Sequence, residues 1–334
     1  MVSERVVSQR VVSRPVVSQH MTIQRLLYLG NVVVDIVLDV PALPRRGGDV
    51  LARGSQLAPG GGFNVMAAAA RQGLPVAYAG AHGSGPFADL ARAGLGAEGI
   101  EVLQPARPDT DTGFVVAVVD DAAERTFVTS RGAEATLAAA DLAGVLARPG
   151  DAAGLSGYGL VHPSNRAALL GWLHRLPEAA TVVFDPGPLV TSIPPDALDQ
   201  VLRRADWLTC NAREALLLTG EASPADGLRA LADRHAGHGR PGAGVLVRTG
   251  PDGCLLAFSA TNPVAVPGFQ VTELDSNGAG DTHTGAFIAA LAAGADAWQA
   301  ARRANASAAF SVTRRGPATA PTATELAQFL SDAR

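Results

Sequence analysis

From residue 26 onward, short apolar runs alternate with alanine-rich stretches of helical spacing. The apolar runs predict strands over 26–29, 32–38, 76–80, 115–119, 181–184, 207–210, 245–248 and 255–258. The intervening spacing predicts helices over 64–72, 86–95, 165–173, 213–218, 225–235, 281–293 and 297–310. Runs such as Val182-Val183-Phe184 are continuous and β-branched rather than alternating. That is the pattern of strands covered on both faces, as in a parallel sheet. Strand–helix alternation then argues for a doubly wound α/β sandwich.

Two stretches break the alternation. Residues 37–60 are rich in Pro, Gly and Arg, and 110–131 reads as a hairpin with strands over 113–119 and 125–130 around a turn at 120–123. Together they predict a small β-sheet projecting from the sandwich, although two ordinary edge hairpins give the same pattern. Residues 1–24 repeat VVS between Arg, Gln and Ser, with no signal-peptide core. They read as a disordered leader before one domain spanning 25–334, with Met21 a candidate start.

Composition narrows the chemistry. At 334 residues and 47% hydrophobic, the chain can bury a sizeable core. Its formal charge of −4 gives no support to a nucleic-acid or anionic-membrane partner. No stretch reaches the ~18 apolar residues of a membrane span, so the chain reads as soluble and cytoplasmic. All 27 basic residues are arginine. The missing lysine excludes a Walker A loop, Schiff-base and pyridoxal-phosphate chemistry, and protein-kinase catalysis. Cys210 and Cys254 form no metal-ligand pattern and read as buried, inert thiols.

The strongest motif is DSNGAGDTHTGAF over Asp275–Phe287, where Gly278, Ala279 and Gly280 precede Asp281 at the head of an apolar helix. Small residues let backbone amides turn inward, and with the helix dipole they form an anion hole. A carboxylate on the first turn of that helix can take a proton from a hydroxyl beside the anion. This is a geometry for moving a phosphoryl group onto an alcohol without lysine. A plain Asp N-cap after a Gly-rich turn fits the same letters.

Asp275–Phe287 resembles the C-terminal signature of the PfkB (ribokinase-like) carbohydrate kinases, and Gly60-Gly61-Gly62-Phe63-Asn64, with Gly73 and Gly83, resembles their N-terminal signature. Met66 departs from the second, and Phe63 stands where a small residue is common. The resemblance covers 26 to about 330 and implies a three-layer α/β/α sandwich with a mostly parallel sheet and a β-sheet lid. It implies an ATP- and Mg²⁺-dependent kinase of a sugar or sugar-like alcohol, often a homodimer clasped through the lid. Asp281 matches the base, and Gly278–Gly280 match the hole for the travelling phosphate. Asn31 and Asp35, at the end of the first strand, with Gly61, Gly62 and Asn64, match the acceptor site.

Asn211 and Glu214 match the N-x-x-E motif that organises Mg²⁺, mostly through water, although a helix cap with an exposed Glu reads the same. Thr249, Gly250 and Gly253 resemble a shortened nucleotide loop and also make a strong turn sequence. Asn305 falls where adenine is often contacted. Asp275 and Asn277, with 313–317, resemble a monovalent-cation site, hence possible K⁺ dependence. Asp185 faces the phosphates or a turn. His283 reads as packing or a nucleotide contact, and His235 and His238 as solvated surface. Arg131 and Arg166 read as surface residues unless the acceptor is itself phosphorylated. A nucleoside kinase, with Phe63 or Phe114 stacking on a base, is the first rival. A non-catalytic sugar- or nucleotide-sensing protein is the second.

Overall fold

The computed structural model describes residues 23–122, 124–238, 240, 242–258 and 263–333. The leader expected over 1–24 lies outside the described residues up to 22. Ile23 is already buried, and the Gln24 N–H donates to the Gly150 carbonyl.

Among the described residues two sheets form. The larger has nine strands, in the order β13 (Val264–Pro267), β12 (Gly253–Phe258), β11 (Gly244–Arg248), β10 (Trp207–Asn211), β9 (Thr181–Asp185), β8 (Asp151–Ser156), β1 (Arg25–Tyr28), β4 (Val76–Tyr78) and β5 (Glu101–Val102). Pairing is parallel from β5 through to β11, then antiparallel to β12 and β13. The β-branched runs fulfil the two-sided expectation: Thr181 to Phe184 are all buried. On β1, Leu27 faces one core with Trp172 and Val201, while Leu26 and Tyr28 face the other with Met66 and Phe287. Helices α4 (Pro163–Leu173), α5 (Pro195–Arg204) and α7 (Pro224–Gly237) supply the first core. Helices α1 (Gly62–Arg71), α8 (Ala279–Ala292) and α9 (Ala297–Ser311) supply the second. The result is the expected three-layer sandwich.

The smaller sheet orders β3 (Gly54–Gly61), β2 (Val32–Asp39), β6 (Phe114–Val119) and β7 (Arg125–Ser130). Its outer pairs are antiparallel and its central pair, β2 with β6, is parallel. The two unusual stretches therefore join in one sheet, which also takes in 32–36 upstream of the expected 37–60. The strands β5 and β13 carry too few residues for a periodicity and were not predicted; neither was the central strand β8, whose DAAGLS holds no β-branched residue.

Helix α1 starts at Gly62, two residues before the predicted start, and Gly61 caps it at φ 61°. Asn64 is therefore not an N-cap. Its side chain sits inside the first turn and is released for other work. His235 is a correction as well. It lies in the last turn of α7 and is buried rather than solvated, because the apolar face of that helix packs on the sheet there. Both cysteines are buried free thiols, and burial pushes Cys254 up to about 12.

Candidate active site

The site lies where the C-terminal ends of the parallel strands meet the small sheet. Asp281 is the third residue of α8, whose cap is Gly278 at φ 73°. The N-cap reading of Asp281 thus falls away: its carboxylate makes no capping bond and accepts from Asn64 Nδ2 at 3.1 Å. Burial, then the charge of Asp185, pushes its pKa to about 7. First-turn amides of a helix lack helical acceptors. The Ala279 N–H is engaged with the Ser276 carbonyl, which leaves Gly280 and Asp281 as the amides best free for an anion.

Arg248, which the sequence reading passed over, closes this floor. It pairs with Asp185 at 3.0 Å and Glu214 at 3.8 Å and donates to Thr284 Oγ1 at 3.0 Å. A Cβ on Gly280 would lie 3.5 Å from its guanidinium. The available signal was position: the last residue of a parallel strand is where α/β sheets place ligands. Asp185, at the matching end of β9, also accepts from Gly187 N–H and Thr209 Oγ1.

Asn211 and Glu214 form a reciprocal capping box at the start of α6 (Ala212–Thr219), with both bonds at 2.8 Å. The capping reading was right, but Glu214 is buried rather than exposed. Burial first and Asp185 next raise its pKa.

Asp35 sits on β2 of the small sheet rather than at the end of the first strand, which stops at Tyr28. Burial raises its pKa to about 6, opposed by a hydrogen bond from Asn277. Opposite it, a Cβ on Gly60 would fall 2.3 Å from the Asp35 carboxyl group, so only glycine leaves that carboxyl its place. The Asn31 carbonyl accepts from the Gly62 N–H at 2.8 Å, which fixes the glycine loop to the β1–β2 connection. Asn31, Asp35, Gly61, Gly62, Asn64 and Asp281 are thereby brought around one corner.

Other expected residues go elsewhere. Asn305 is buried, its Oδ1 accepting from His283 Nε2 at 3.0 Å and its Nδ2 donating to the Val266 and Pro267 carbonyls. His283 is buried with it, its pKa lowered to about 3 by desolvation. Thr249 donates its N–H to the Gly253 carbonyl, closing an exposed turn through Gly250. The Asp275 carboxylate pairs with Arg125 of β7 and accepts from the Asn277 and Gly316 N–H groups. It fastens three segments together. Arg166 donates to the Leu160 and Val161 carbonyls. Phe63 is core, and Phe114 packs 5.1 Å from Phe87.

A sandwich of this topology, with a half-buried acid at a glycine-capped helix start and an appended sheet across the strand ends, defines a class of phosphotransferases acting on alcohols. The family model described as pfkB family carbohydrate kinase matches residues 24–324, and the chain belongs to that family. It is 30% identical to the uncharacterized sugar kinase YegV of Escherichia coli, over 91% of this chain and 94% of that one. It is 31% identical to an ATP-dependent ribose-1-phosphate kinase of Halopiger xanaduensis, over 92% and 98% respectively. The solved ribokinase of Thermotoga maritima superposes with a TM-score of 0.75 at 25% identity, covering 92% of this chain and 100% of that one.

Proposed function

We propose that this carbohydrate kinase transfers the γ-phosphoryl group of ATP to a hydroxyl of a free sugar such as ribose or fructose, with Asp281 as general base. The carrying observation is the Asp281 carboxylate: half-buried, outside any cap, raised to about 7, and beside the first-turn amides of its own helix. A base poised near the working pH combines a useful ionised fraction with proton affinity. The Gly278–Gly280 segment, with Arg248 behind it, stabilises the charge that shifts onto the phosphoryl oxygens. Asp35, Asn31, Asn64 and the Gly61–Gly62 backbone orient the acceptor, whose adjacent hydroxyls suit a carboxylate that accepts hydrogen bonds.

Asp185, Glu214 and Asp281 surround one arginine, so the floor carries excess negative charge. All its donors are oxygen, which suits Mg²⁺ held largely through water by Asp185 and Glu214. When bound, that ion neutralises the nucleotide phosphates. Thr249, Gly250, Gly253 and Asn305 bound the nucleotide side; Asn305 acts there by holding the β13 backbone. A K⁺ ion near Asp275 would need backbone carbonyls, since Arg125 already pairs with the carboxylate. The face of the small sheet turned away from Asp35, where Leu57 and Val128 are exposed, supports a homodimer through the lid. The supply of ATP supports a cytoplasmic location.

A free sugar is favoured over a nucleoside because Phe63 and Phe114, the aromatics a base would stack on, are already packed. The test is a turnover panel of ribose, fructose, ribose 1-phosphate and adenosine with ATP and Mg²⁺. Free-sugar phosphorylation is expected; turnover of adenosine alone, or of none, overturns the proposal.

A further inference from the structure

Two tyrosines stand side by side at the ends of β1 and β4, where Tyr28 pairs with Tyr78 across the parallel ladder. Tyr78 is fully committed: its hydroxyl accepts from the Val32 N–H at 3.3 Å and donates to the Ala81 carbonyl at 3.0 Å. The Tyr28 hydroxyl makes no hydrogen bond among the described residues, although the side chain is 5% exposed. The hydroxyl oxygen is not sealed off from solvent, so a ligand group can reach it, and a phenylalanine would fill the same ring space without offering that contact.

The ring is accommodated by three separate pieces of chain. A Cβ on Gly154, its neighbour on β8, would fall 2.6 Å from the ring. One on Gly30 would fall 2.7 Å from the hydroxyl, and one on Gly62 would fall 2.8 Å from it. The hydroxyl therefore lies between the β1–β2 connection and the first residue of α1, under the glycine loop. After burial, the charges of Asp281 and Asp185 are what raise its pKa most, which places it in the field of both carboxylates.

We propose that the Tyr28 hydroxyl is a specificity-determining contact for the acceptor, hydrogen-bonding a sugar hydroxyl next to the one that Asp281 deprotonates. This rests on the proposed kinase reading and names a contact within it. The phenol supplies one donor and one acceptor, so it matches a neutral alcohol and discriminates against an acceptor carrying hydrogen or a charge at that carbon. A site built to bond a hydroxyl rejects the analogue that lacks it.

The experiment uses Tyr28→Phe, which keeps the ring in its glycine slot and removes only the oxygen. Wild type and variant are compared in steady state with the preferred sugar and its series of monodeoxy analogues. The expected result is an acceptor KM raised about 3- to 10-fold, the range of one neutral hydrogen bond, with ATP KM and melting temperature unchanged. One deoxy analogue should be handled equally by both enzymes, which identifies the contacted hydroxyl. Unchanged acceptor KM with every sugar overturns the proposal and leaves the kinase reading standing. A loss confined to kcat, with the acid limb of the pH profile displaced, also overturns it, because Tyr28 would then act through Asp281. Absence of turnover by wild type on all acceptors overturns the kinase reading itself, and this contact with it.

Discussion

The nine-stranded sheet is covered on both faces, whereas the four-stranded sheet leaves Leu57 and Val128 on one face, and Phe127 on the other, at 51%, 63% and 56% exposure. The first places its functional groups at strand ends, where backbone direction converges: Asp185, Arg248 and, one turn into their helices, Glu214 and Asp281. The second contributes Asp35 from the middle of a strand and Arg125 from an edge strand. The wall proposed to carry the phosphate chemistry is thus braced by two cores. Charge does not follow the same division: Asp185 is 21% exposed, much like Arg125 at 23% and Asp275 at 18%, and only Glu214, at 4%, lies deep beside Arg248.

The largest effect that tests this division is on chemistry. Asp281→Asn should lower kcat by about 100- to 10,000-fold, as expected for loss of a general base, with nucleotide binding retained by equilibrium titration. In wild type, kcat/KM should fall as pH drops through about 7, since the base must be ionised. Stability moves the other way. The folded-state pKa lies above the ordinary 3.8, so the native state holds a proton that the unfolded chain releases between those values. Wild type therefore loses stability as pH rises from about 4 to 7. Asp281→Asn should melt higher than wild type at pH 8, by on the order of 5 °C; equal melting at pH 8 would refute that strain.

Next comes Arg248→Met. Removing one partner of a buried ionic cluster leaves Asp185 and Glu214 facing each other without compensation, a loss of about 3–5 kcal/mol. Denaturant titration reads it, and a loss below 1 kcal/mol would deny Arg248 its place. A buried-sheet change, Phe184→Ala, is expected to destabilise by a similar ~3–5 kcal/mol. Its counterpart in the small sheet, Val128→Ser, should cost under about 0.5 kcal/mol yet shift sedimentation toward monomer. If Val128→Ser unfolds the protein as Phe184→Ala does, the contrast between the sheets is wrong.

The smallest effect belongs to the tie between the two regions. Arg125→Gln should change stability by less than ~1 kcal/mol, as for other partly exposed pairs. It should raise acceptor-independent ATP hydrolysis relative to sugar phosphorylation, because the acceptor wall is no longer fastened to the anion-hole turn. An unchanged ratio in a coupled assay would remove Arg125 from the reaction.

Local pattern was enough for the sandwich, because continuous β-branched runs and helical spacing are read within a few residues. It was enough, too, to mark the helix start at Gly278–Asp281, because the positive φ of Gly278 is a local demand; Gly60 differs, since the carboxyl group it leaves room for comes from Asp35. The capping box at Asn211 was legible for the same reason. What the letters could not carry was any fact about partners distant in sequence. That α8 brings Asp281 to Asn64 across the fold was one such fact. Arg248 and Tyr28 read as residues of ordinary strands, and His235 as solvated surface. Packing decided each of these, because burial and hydrogen-bond partners depend on which segments meet, and folding sets those meetings across intervals that no local periodicity spans.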